Sequence, residues 1–314
     1  MTVADPASTT TPPGKVAKRP YFSSPRNRRD ALIFVLMALP NLVLIAAFTY
    51  RPLLVNLQYS TLNWTLGSRT ATKIGLDNYV EWFTSGDAAL VLRTTAIFAV
   101  ATVGGAMVLG LLVALALNTK VPGRTFARAT VFAPYVLSGV GVGLVWSFIF
   151  DPTYGALSFW LRKFGHSSPA WFTDPGYSLA MVIIVYVWKN LGYCAVVYLA
   201  GLQSMPSDVM EAASIDGASG FARFRHMVLP LLGPTTLFLT ITTILNSLQA
   251  FDLIKIMTPT SDGTRVLIYE AYLQAFGAYQ RAGYSAAISV ILFVILLALT
   301  IIQITWVEKK VHYA

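Results

Sequence analysis

The sequence has few of the residues on which soluble enzymes depend. Only 12% of its 314 residues are charged, against roughly 25% in an average soluble domain, and 55% are hydrophobic. There is one cysteine, Cys194, which excludes an intrachain disulfide, and its apolar sequence neighbours indicate a small buried side chain without chemistry of its own. This composition argues against a water-soluble fold.

Catalytic and metal-binding clusters are also missing from the sequence. The three histidines, His166, His226 and His312, fall outside the long apolar segments, and none has a metal-binding or nucleophilic partner nearby. No Gly-x-x-x-x-Gly-Lys-Ser/Thr loop is present to bind the phosphates of ATP. We therefore expect no catalytic residue, no metal site and no cofactor in this chain, and a membrane-embedded enzyme is the least favoured interpretation.

Six apolar windows are long enough to cross a bilayer. At 1.5 Å per residue, about 20 helical residues span roughly 30 Å of hydrocarbon. The windows are 31–50, 94–119, 129–150, 178–203, 227–251 and 282–307. Only the fourth contains a charge, Lys189. The sequence predicts an all-α integral membrane protein with six transmembrane helices, in which residues 31–314 form the transmembrane domain.

The basic residues lie in the N-terminal tail and in the loops. Residues 1–30 are polar and lack apolar periodicity, so we expect a disordered basic tail that is not a cleaved signal peptide. An even number of spans places both termini on one side, and that side carries thirteen Lys and Arg against nine on the other. This asymmetry predicts cytoplasmic N- and C-termini. The placement of the basic residues in the tail and loops also explains the net charge of +9, so we do not expect nucleic acid as a partner.

The loop of residues 204–230, between the fourth and fifth windows, has the sequence of a helical hairpin. Ser207 can cap a first short helix, Glu211 lies near its positive end, and Gly217 permits the backbone turn that ends it. Ser219 can cap a second helix, and Pro230 marks the entry to the membrane. Topology places this hairpin on the cytoplasmic side.

This loop resembles the EAA loop in permeases of binding-protein-dependent ABC importers. The family pattern is Glu-Ala-Ala, three residues, Gly, nine residues, Ile, one residue, Leu-Pro, and Met227 replaces the Ile here. The resemblance implies a coupling helix that docks in a groove of a separate ATPase, where small alanines permit close approach and Glu211 binds a basic residue. The predicted coupling residues are Glu211, Ala212, Ala213, Asp216, Gly217 and Pro230. Asp216 is equally compatible with a local helix cap. The alternative interpretation of the whole loop is an amphipathic segment that only packs on the helices.

Polar residues in two apolar windows mark a candidate substrate pathway. A charge inside a span costs a few kcal/mol, so Lys189 is expected to face a protein interior or a water-filled cavity. The candidate residues are Lys189, Asn190 and Tyr193 of the fourth window, and Asn246, Gln249 and Asp252 in and after the fifth. Converging polar groups of this kind can bind a hydroxylated solute. The alternative interpretation is hydrogen bonding between helices together with a snorkelling lysine.

Residues 30–313 resemble the permeases of sugar-type importers, most closely the Ugp-type branch for glycerol-3-phosphate and glycerophosphodiesters such as glycerophosphocholine. The residues that carry the resemblance are Gly75–Tyr79, Pro134–Tyr135, Trp188–Lys189 with Tyr193, Leu202–Pro206, the EAA loop and Val307–Tyr313. Only the last run favours the glycerophosphate branch. Lys189 suits a phosphate, but sugar carriers have a lysine at the matching place, so a neutral sugar or oligosaccharide stays an alternative cargo.

The resemblance implies a type I ABC importer permease in a prokaryotic plasma membrane, forming half of a translocation pore. The expected partners are a second homologous permease, two copies of an ABC ATPase, an extracytoplasmic substrate-binding protein and membrane lipid. ATP and magnesium would bind the ATPase, so this chain is not expected to be an enzyme. An ion-coupled secondary transporter is a further alternative, but it usually shows internal repeats and several ionisable midplane residues, and the sequence shows neither.

Overall fold

The computed structural model describes residues 25–119, 123–205 and 220–307. The chain divides into two compact units, Met1–Val55 and Asn56–Ala314. Helix α1 (Pro25–Ile45) is joined by a π-helical turn at residues 46–50 to α2 (Arg51–Tyr59). Helix α1 thus begins inside the tail that the sequence predicted to run to residue 30, and the rest of that tail lies outside the described residues.

Asn56–Ala314 is mostly helical where it is described. The remaining helices are α3 (Asp77–Thr84), α4 (Asp87–Leu117), α5 (Arg124–Val136), α6 (Gly139–Ile149), α7 (Ala156–Lys163), α8 (Pro175–Gln203), α9 (Gly220–Arg223), α10 (Leu229–Leu231), α11 (Gly233–Leu248), α12 (Asp252–Met257), α13 (Leu267–Phe276) and α14 (Ala282–Ile302). Two π-helical turns, Phe224–Val228 and Gln303–Val307, and a 3-10 turn, Asp262–Thr264, complete them. Strands β1 (Leu62–Asn63) and β2 (Thr72–Lys73) form one short antiparallel ladder.

Five helical stretches in the described part of the chain are long and apolar enough to cross a membrane. They are Arg29–Tyr59, Asp87–Leu117, Pro175–Gln203, Gly233–Met257 and Ala282–Thr305. A bent pair, α5 with α6, makes a sixth if the two helices count as one span. These stretches confirm an all-α integral membrane protein, and they correspond to the six predicted windows with shifted ends.

The third window, residues 129–150, is not the continuous helix that the sequence predicted. Helices α5 and α6 meet there at an angle of 98°. Leu137 and Ser138 have extended backbone, with ψ of 145° and 133°, and Pro134 lacks the N–H that a helical hydrogen bond needs. A hydropathy window measures the apolar composition of a segment and not the direction of its helix axis, so hydropathy did not indicate the bend.

Helices α4 and α8 form the central contact of Asn56–Ala314. Glycines of α4 allow the close approach: a Cβ on Gly105 would lie 2.9 Å from Val187 Cγ2, and one on Gly110 would lie 2.5 Å from Cys194 Cβ. Small residues bring membrane helices together in this way because lipid supplies no hydrophobic force between them. Cys194 is fully buried in this contact, as the small side chain was expected to be.

The segments between α2 and α4 and between α12 and α14 meet at one end of Asn56–Ala314, which we call the loop-rich end. There Gly283 N–H donates to Trp64 C=O, and Leu66 N–H donates to Gln280 C=O. Arg281 forms two hydrogen bonds with Glu81, at 2.7 and 2.5 Å. Successive spans alternate in direction, so this end lies opposite the described ends of the loop, residues 204–205 and 220–230.

Candidate functional site

A cavity of about 510 Å³ lies where helices α5 and α6 break. We call it the pathway cavity. Helix α8 and the segment that joins α11 to α12 form its other walls. Five of the six residues predicted for the substrate pathway line it: Lys189, Asn190, Asn246, Gln249 and Asp252. The structure therefore brings together residues that the sequence placed on two separate spans.

The second wall contains an interruption of the helical backbone inside the fifth span, Gly233–Met257, which matches the predicted window of residues 227–251 with shifted ends. Helix α11 ends at Leu248 and α12 begins at Asp252, and Phe251 between them leaves helical backbone with φ of −126°. Asn246 and Gln249 were expected on one helical face. Asn246 lies in the last turn of α11 and Gln249 follows its end, and both side chains are exposed and line the cavity.

Helices α6 and α12 pack directly against each other through two glycines four residues apart. A Cβ on Gly139 would lie 3.0 Å from the Cβ of Asp252, and one on Gly143 would lie 3.0 Å from Ile256 Cγ2. A larger residue at either position would have to push α12 away. These two glycines therefore set how far the Asp252 carboxylate stands from the break between α5 and α6.

Lys189 connects helix α8 to that break. Its Nζ donates a hydrogen bond of 2.9 Å to the backbone carbonyl of Tyr135, in the last turn of α5, and lies 5.4 Å from the centroid of the Tyr135 ring. The last carbonyls of a helix have no helical partner, and a cation is favourable beside them. The ammonium thus joins two helices, as the alternative interpretation predicts, and it also lines the pathway cavity.

Aromatic residues also line the pathway cavity. Two of them, Tyr135 and Tyr186, were not among the residues predicted for the substrate pathway. Tyr135 lines the cavity and stacks on Tyr193 at 4.9 Å between centroids. The Tyr193 hydroxyl donates to Thr242, and Tyr193 is not among the residues that line the cavity. Tyr186 also lines the cavity and donates to the backbone carbonyl of Asn246 at 2.7 Å. Its position three residues before Lys189, on the same face of α8, was the signal available in the sequence.

The cavity lining contains one cation, Lys189, and one anion, Asp252, together with exposed amides. The Asn190 amide donates to the Tyr186 carbonyl of its own helix at 2.8 Å, which fixes the orientation of that side chain. Such a lining can bind hydroxyl groups through amides and a negatively charged group through the ammonium. Within residues 25–119, 123–205 and 220–307, no group of three or more His, Cys, Asp or Glu could hold a metal ion.

The predicted coupling residues Glu211, Ala212, Ala213, Asp216 and Gly217 lie outside the described residues. Pro230 is described, and it lies in α10 directly after the π-helical turn Phe224–Val228. A cavity of about 280 Å³ lies beside the described ends of the loop, between Asn118, Met205 and Phe224. The coupling role of the loop stays a prediction.

Apolar spans, two helices broken side by side and a polar cavity between the breaks define a multi-pass membrane transport protein. Broken helices are tolerated at membrane depth only where protein covers the freed backbone or water reaches it. Both conditions are met at the pathway cavity, where Lys189 binds a freed carbonyl and Asp252 is exposed.

Comparison with known proteins gives the family. The family model described as binding-protein-dependent transport system inner membrane component matches residues 106–313. The sn-glycerol-3-phosphate transport system permease protein UgpA of Agrobacterium fabrum is 35% identical over 281 residues, covering 88% of this chain and 95% of that protein. The protein of the same name in Rhizobium meliloti is 33% identical, with coverage of 88% and 95%. A probable ABC transporter permease protein of Pyrococcus horikoshii is 31% identical, with coverage of 90% and 98%.

Two solved structures share the fold. One is a bacterial ABC transporter involved in the import of the acidic polysaccharide alginate, with a TM-score of 0.79, 23% identity and coverage of 90% of this chain and 96% of that chain. The other is the alginate ABC transporter in complex with alginate pentasaccharide-bound periplasmic protein, with a TM-score of 0.76, 23% identity and coverage of 88% and 93%. They show the fold of an ABC importer permease, which confirms the predicted type I architecture.

The chain belongs to the family of inner membrane components of binding-protein-dependent transport systems, and it is a multi-pass transmembrane subunit of an ABC importer. The family resemblance that rested on the EAA loop is confirmed.

Proposed function

We propose that this subunit forms half of the translocation pore of an importer for glycerol-3-phosphate or glycerophosphodiesters. Similarity to permeases named for sn-glycerol-3-phosphate transport over 88% of the chain supports this cargo. The structural observation that carries the proposal is the Lys189 ammonium, which lines a cavity of about 510 Å³ together with neutral amides. A phosphate group is the natural partner of an ammonium in such a cavity.

The cargo's two chemical parts have different partners in the pathway cavity. The phosphate binds Lys189, and the glycerol hydroxyls bind the exposed amides of Asn246 and Gln249. Asp252 repels a second negative charge, which favours a phosphate that carries few charges over a polyanion. Tyr135 and Phe251 supply apolar walls for the carbon chain.

Binding of a phosphate would also act on the helix break. Lys189 donates to the Tyr135 carbonyl, so a phosphate that binds the ammonium competes with that carbonyl. Loss of the bond would remove one of the contacts that hold the end of α5 to α8, among which are the stacking of Tyr135 on Tyr193 and the close approach of Gly192 to Val131. Cargo occupancy is thereby linked to the joint between α5 and α6, which is the type of two-state element that alternating access needs.

The energy for transport comes from a separate ATPase. This chain carries no phosphate-binding loop, so we assign ATP and magnesium to two copies of an ABC ATPase that engage the EAA loop through Glu211, Ala212 and Ala213. A second permease completes the pore, and a binding protein delivers cargo at the loop-rich end, with both termini in the cytoplasm. Closure of the ATPase dimer moves the coupling helices and opens the pathway cavity outward.

The test is ATPase stimulation in the complete complex, reconstituted in lipid with its binding protein. We expect stimulation when the binding protein is loaded with glycerol-3-phosphate or glycerophosphocholine, and none with a disaccharide. Accumulation of labelled cargo in the vesicles must accompany hydrolysis. Stimulation by the disaccharide alone would establish the neutral-sugar alternative, and uptake that persists without the ATPase would establish an ion-coupled transporter.

A further inference from the structure

A second cavity, of about 400 Å³, opens at the loop-rich end and shares no lining residue with the pathway cavity. Its walls come from the end of α3, the start of α4, the segment between α12 and α13, α13 itself, the segment after α13, and the start of α14. We call it the acidic cavity. The proposed function assigns no role to it.

The charges in the acidic cavity do not balance. One guanidinium, that of Arg265, faces three carboxylates: Glu270 at 2.8 Å, Asp262 at 3.7 Å and Asp87 at 3.7 Å. The other two ionised groups, Glu81 and Arg281, neutralise each other. The lining thus has a surplus of two negative charges.

Two of the three carboxylates retain hydrogen-bonding capacity. Glu270 is 1% exposed, and its two oxygens accept from Arg265 and from Gln274. Asp87 and Asp262 have side chains that are 51% and 78% exposed, and their contacts with Arg265 are longer than a good hydrogen bond. Both carboxylates therefore stand at the mouth of the cavity, ready to accept from a further donor.

A buried amide points to the same kind of ligand. Gln274 lines the acidic cavity and is only 9% exposed. Its Nε2 donates to the Glu270 carboxylate at 2.8 Å, which fixes the orientation of the amide, because the reverse orientation would set oxygen against oxygen. Among the residues that the structure describes, the Gln274 Oε1 finds no donor. A buried acceptor without a donor is costly, so the cavity suits a cation that carries N–H groups.

A metal ion fits this arrangement poorly. No group of three or more His, Cys, Asp or Glu suitable for a metal ion occurs in the described part of the chain, and the Arg265 guanidinium occupies the position between the carboxylates. An organic cation is favoured, because an ammonium or a guanidinium can bond to the exposed carboxylates of Asp87 and Asp262 without displacing Arg265.

We propose that the acidic cavity receives a lysine or arginine side chain of the extracytoplasmic binding protein when that protein docks. The cavity lies at the end of the chain opposite the coupling loop, where the proposed orientation places the binding protein, and its surplus charge complements a basic side chain. The inference rests on the proposed function. Negative charge at the mouth would speed the encounter, and the desolvated bonds would fix the register of docking.

The experiment measures the concentration of cargo-loaded binding protein that gives half-maximal ATPase stimulation of the reconstituted complex. In the variant Asp87→Asn/Asp262→Asn, we expect this concentration to rise about tenfold at low salt and to differ less than about twofold at high salt, where charges are screened. Maximal stimulation should be unchanged, because neither residue lines the pathway cavity. Asp77→Asn, an exposed acid of α3 outside the acidic cavity, is the matched control and should behave as the wild type.

Three outcomes would overturn the inference. One is a half-maximal concentration that is unchanged in the double variant. Another is an equal rise of the half-maximal concentration in Asp77→Asn, which would show that only the overall charge of that end affects docking. The third is stabilisation of the wild-type complex by millimolar methylguanidinium, lost in the double variant, with unchanged binding-protein affinity, since the cavity would then bind small cations. A wild-type complex that fails to transport glycerophosphates contradicts the proposed function instead.

Discussion

Arg281 and Glu81, which are 200 residues apart in the chain, meet through two parallel hydrogen bonds of 2.7 and 2.5 Å. Arg281 immediately precedes α14 and Glu81 lies in α3, so the pair ties the segment after α2 to the start of α14. The Arg281 guanidinium lies 4.1 Å from the centroid of Tyr284, which orients it further. The pair closes one side of the acidic cavity and leaves its charge surplus unchanged.

The first prediction concerns the pH dependence of this pair. The hydrogen bonds and charge of Arg281 hold the pKa of Glu81 below its ordinary value of 4.5. A carboxyl with a lowered pKa in the folded state contributes stability above its unfolded pKa, and that stability is lost as the pH falls through the folded value. Between about pH 6 and pH 3, the apparent Tm of the wild-type complex should therefore fall more than that of Glu81→Gln.

At neutral pH, Glu81→Gln should lower the free energy of unfolding by only about 0.5 kcal/mol, since both side chains are partly exposed and solvent screens their charges. Arg281→Gln and the double variant Glu81→Gln/Arg281→Gln complete a double-mutant cycle that isolates the interaction. Parallel pH profiles of the wild type and Glu81→Gln would show that the pair contributes nothing measurable.

The second prediction concerns Lys189 in the pathway cavity. Lys189→Gln should raise the KM for glycerophosphate uptake about tenfold or more, because a neutral amide replaces a charge-assisted bond to the phosphate. Lys189→Arg should retain part of the affinity. The matched control is Lys255→Gln, a lysine of α12 that lies 4.6 Å from the Tyr272 ring and outside the cavity lining. Equal losses in the two glutamine variants would argue against a phosphate at Lys189.

The third prediction uses the glycines between α4 and α8. Gly110→Ala would place a Cβ 2.5 Å from Cys194 Cβ and 3.1 Å from the Leu191 carbonyl, and overpacking of this kind costs about 1–3 kcal/mol. The apparent Tm of the complex should fall. Gly104→Ala, on the same helix, meets nothing within 4 Å and should leave the Tm unchanged. Similar Tm values for the two variants would mean that α4 and α8 are less closely packed.

The fourth prediction concerns the coupling loop. Glu211→Arg should abolish ATP hydrolysis stimulated by the loaded binding protein, because the charge expected to bind a basic residue of the ATPase is reversed. Native gel electrophoresis or size-exclusion chromatography must show normal assembly, so that loss of coupling is distinguished from loss of the complex. Glu308→Arg, near the C-terminus, is a control for charge reversal. Normal stimulation in an assembled Glu211→Arg complex would exclude the coupling role.

The candidate site was predicted as a set of residues and not as a geometry. The charge of Lys189 inside an apolar window identified it, and the polarity of Asn246, Gln249 and Asp252 identified the second group. Tyr193 was included because it shares a helical face with Lys189, yet it is not among the residues that line the cavity and it stacks on Tyr135. An aromatic residue that lines a cavity has the same sequence signal as one that packs against a helix, so periodicity does not separate them.

The sequence by itself determined the class of protein. Length, low charge and six apolar windows establish a membrane-spanning helical chain, because the bilayer requires helices of that length, and the spacing of the EAA loop indicates the family. These signals are local. The backbone breaks near Leu137 and Phe251, the bond that Lys189 makes to a carbonyl 54 residues away, and the surplus charge around Arg265 depend on contacts between distant segments. Only the tertiary structure decided them, since packing determines which polar groups face each other.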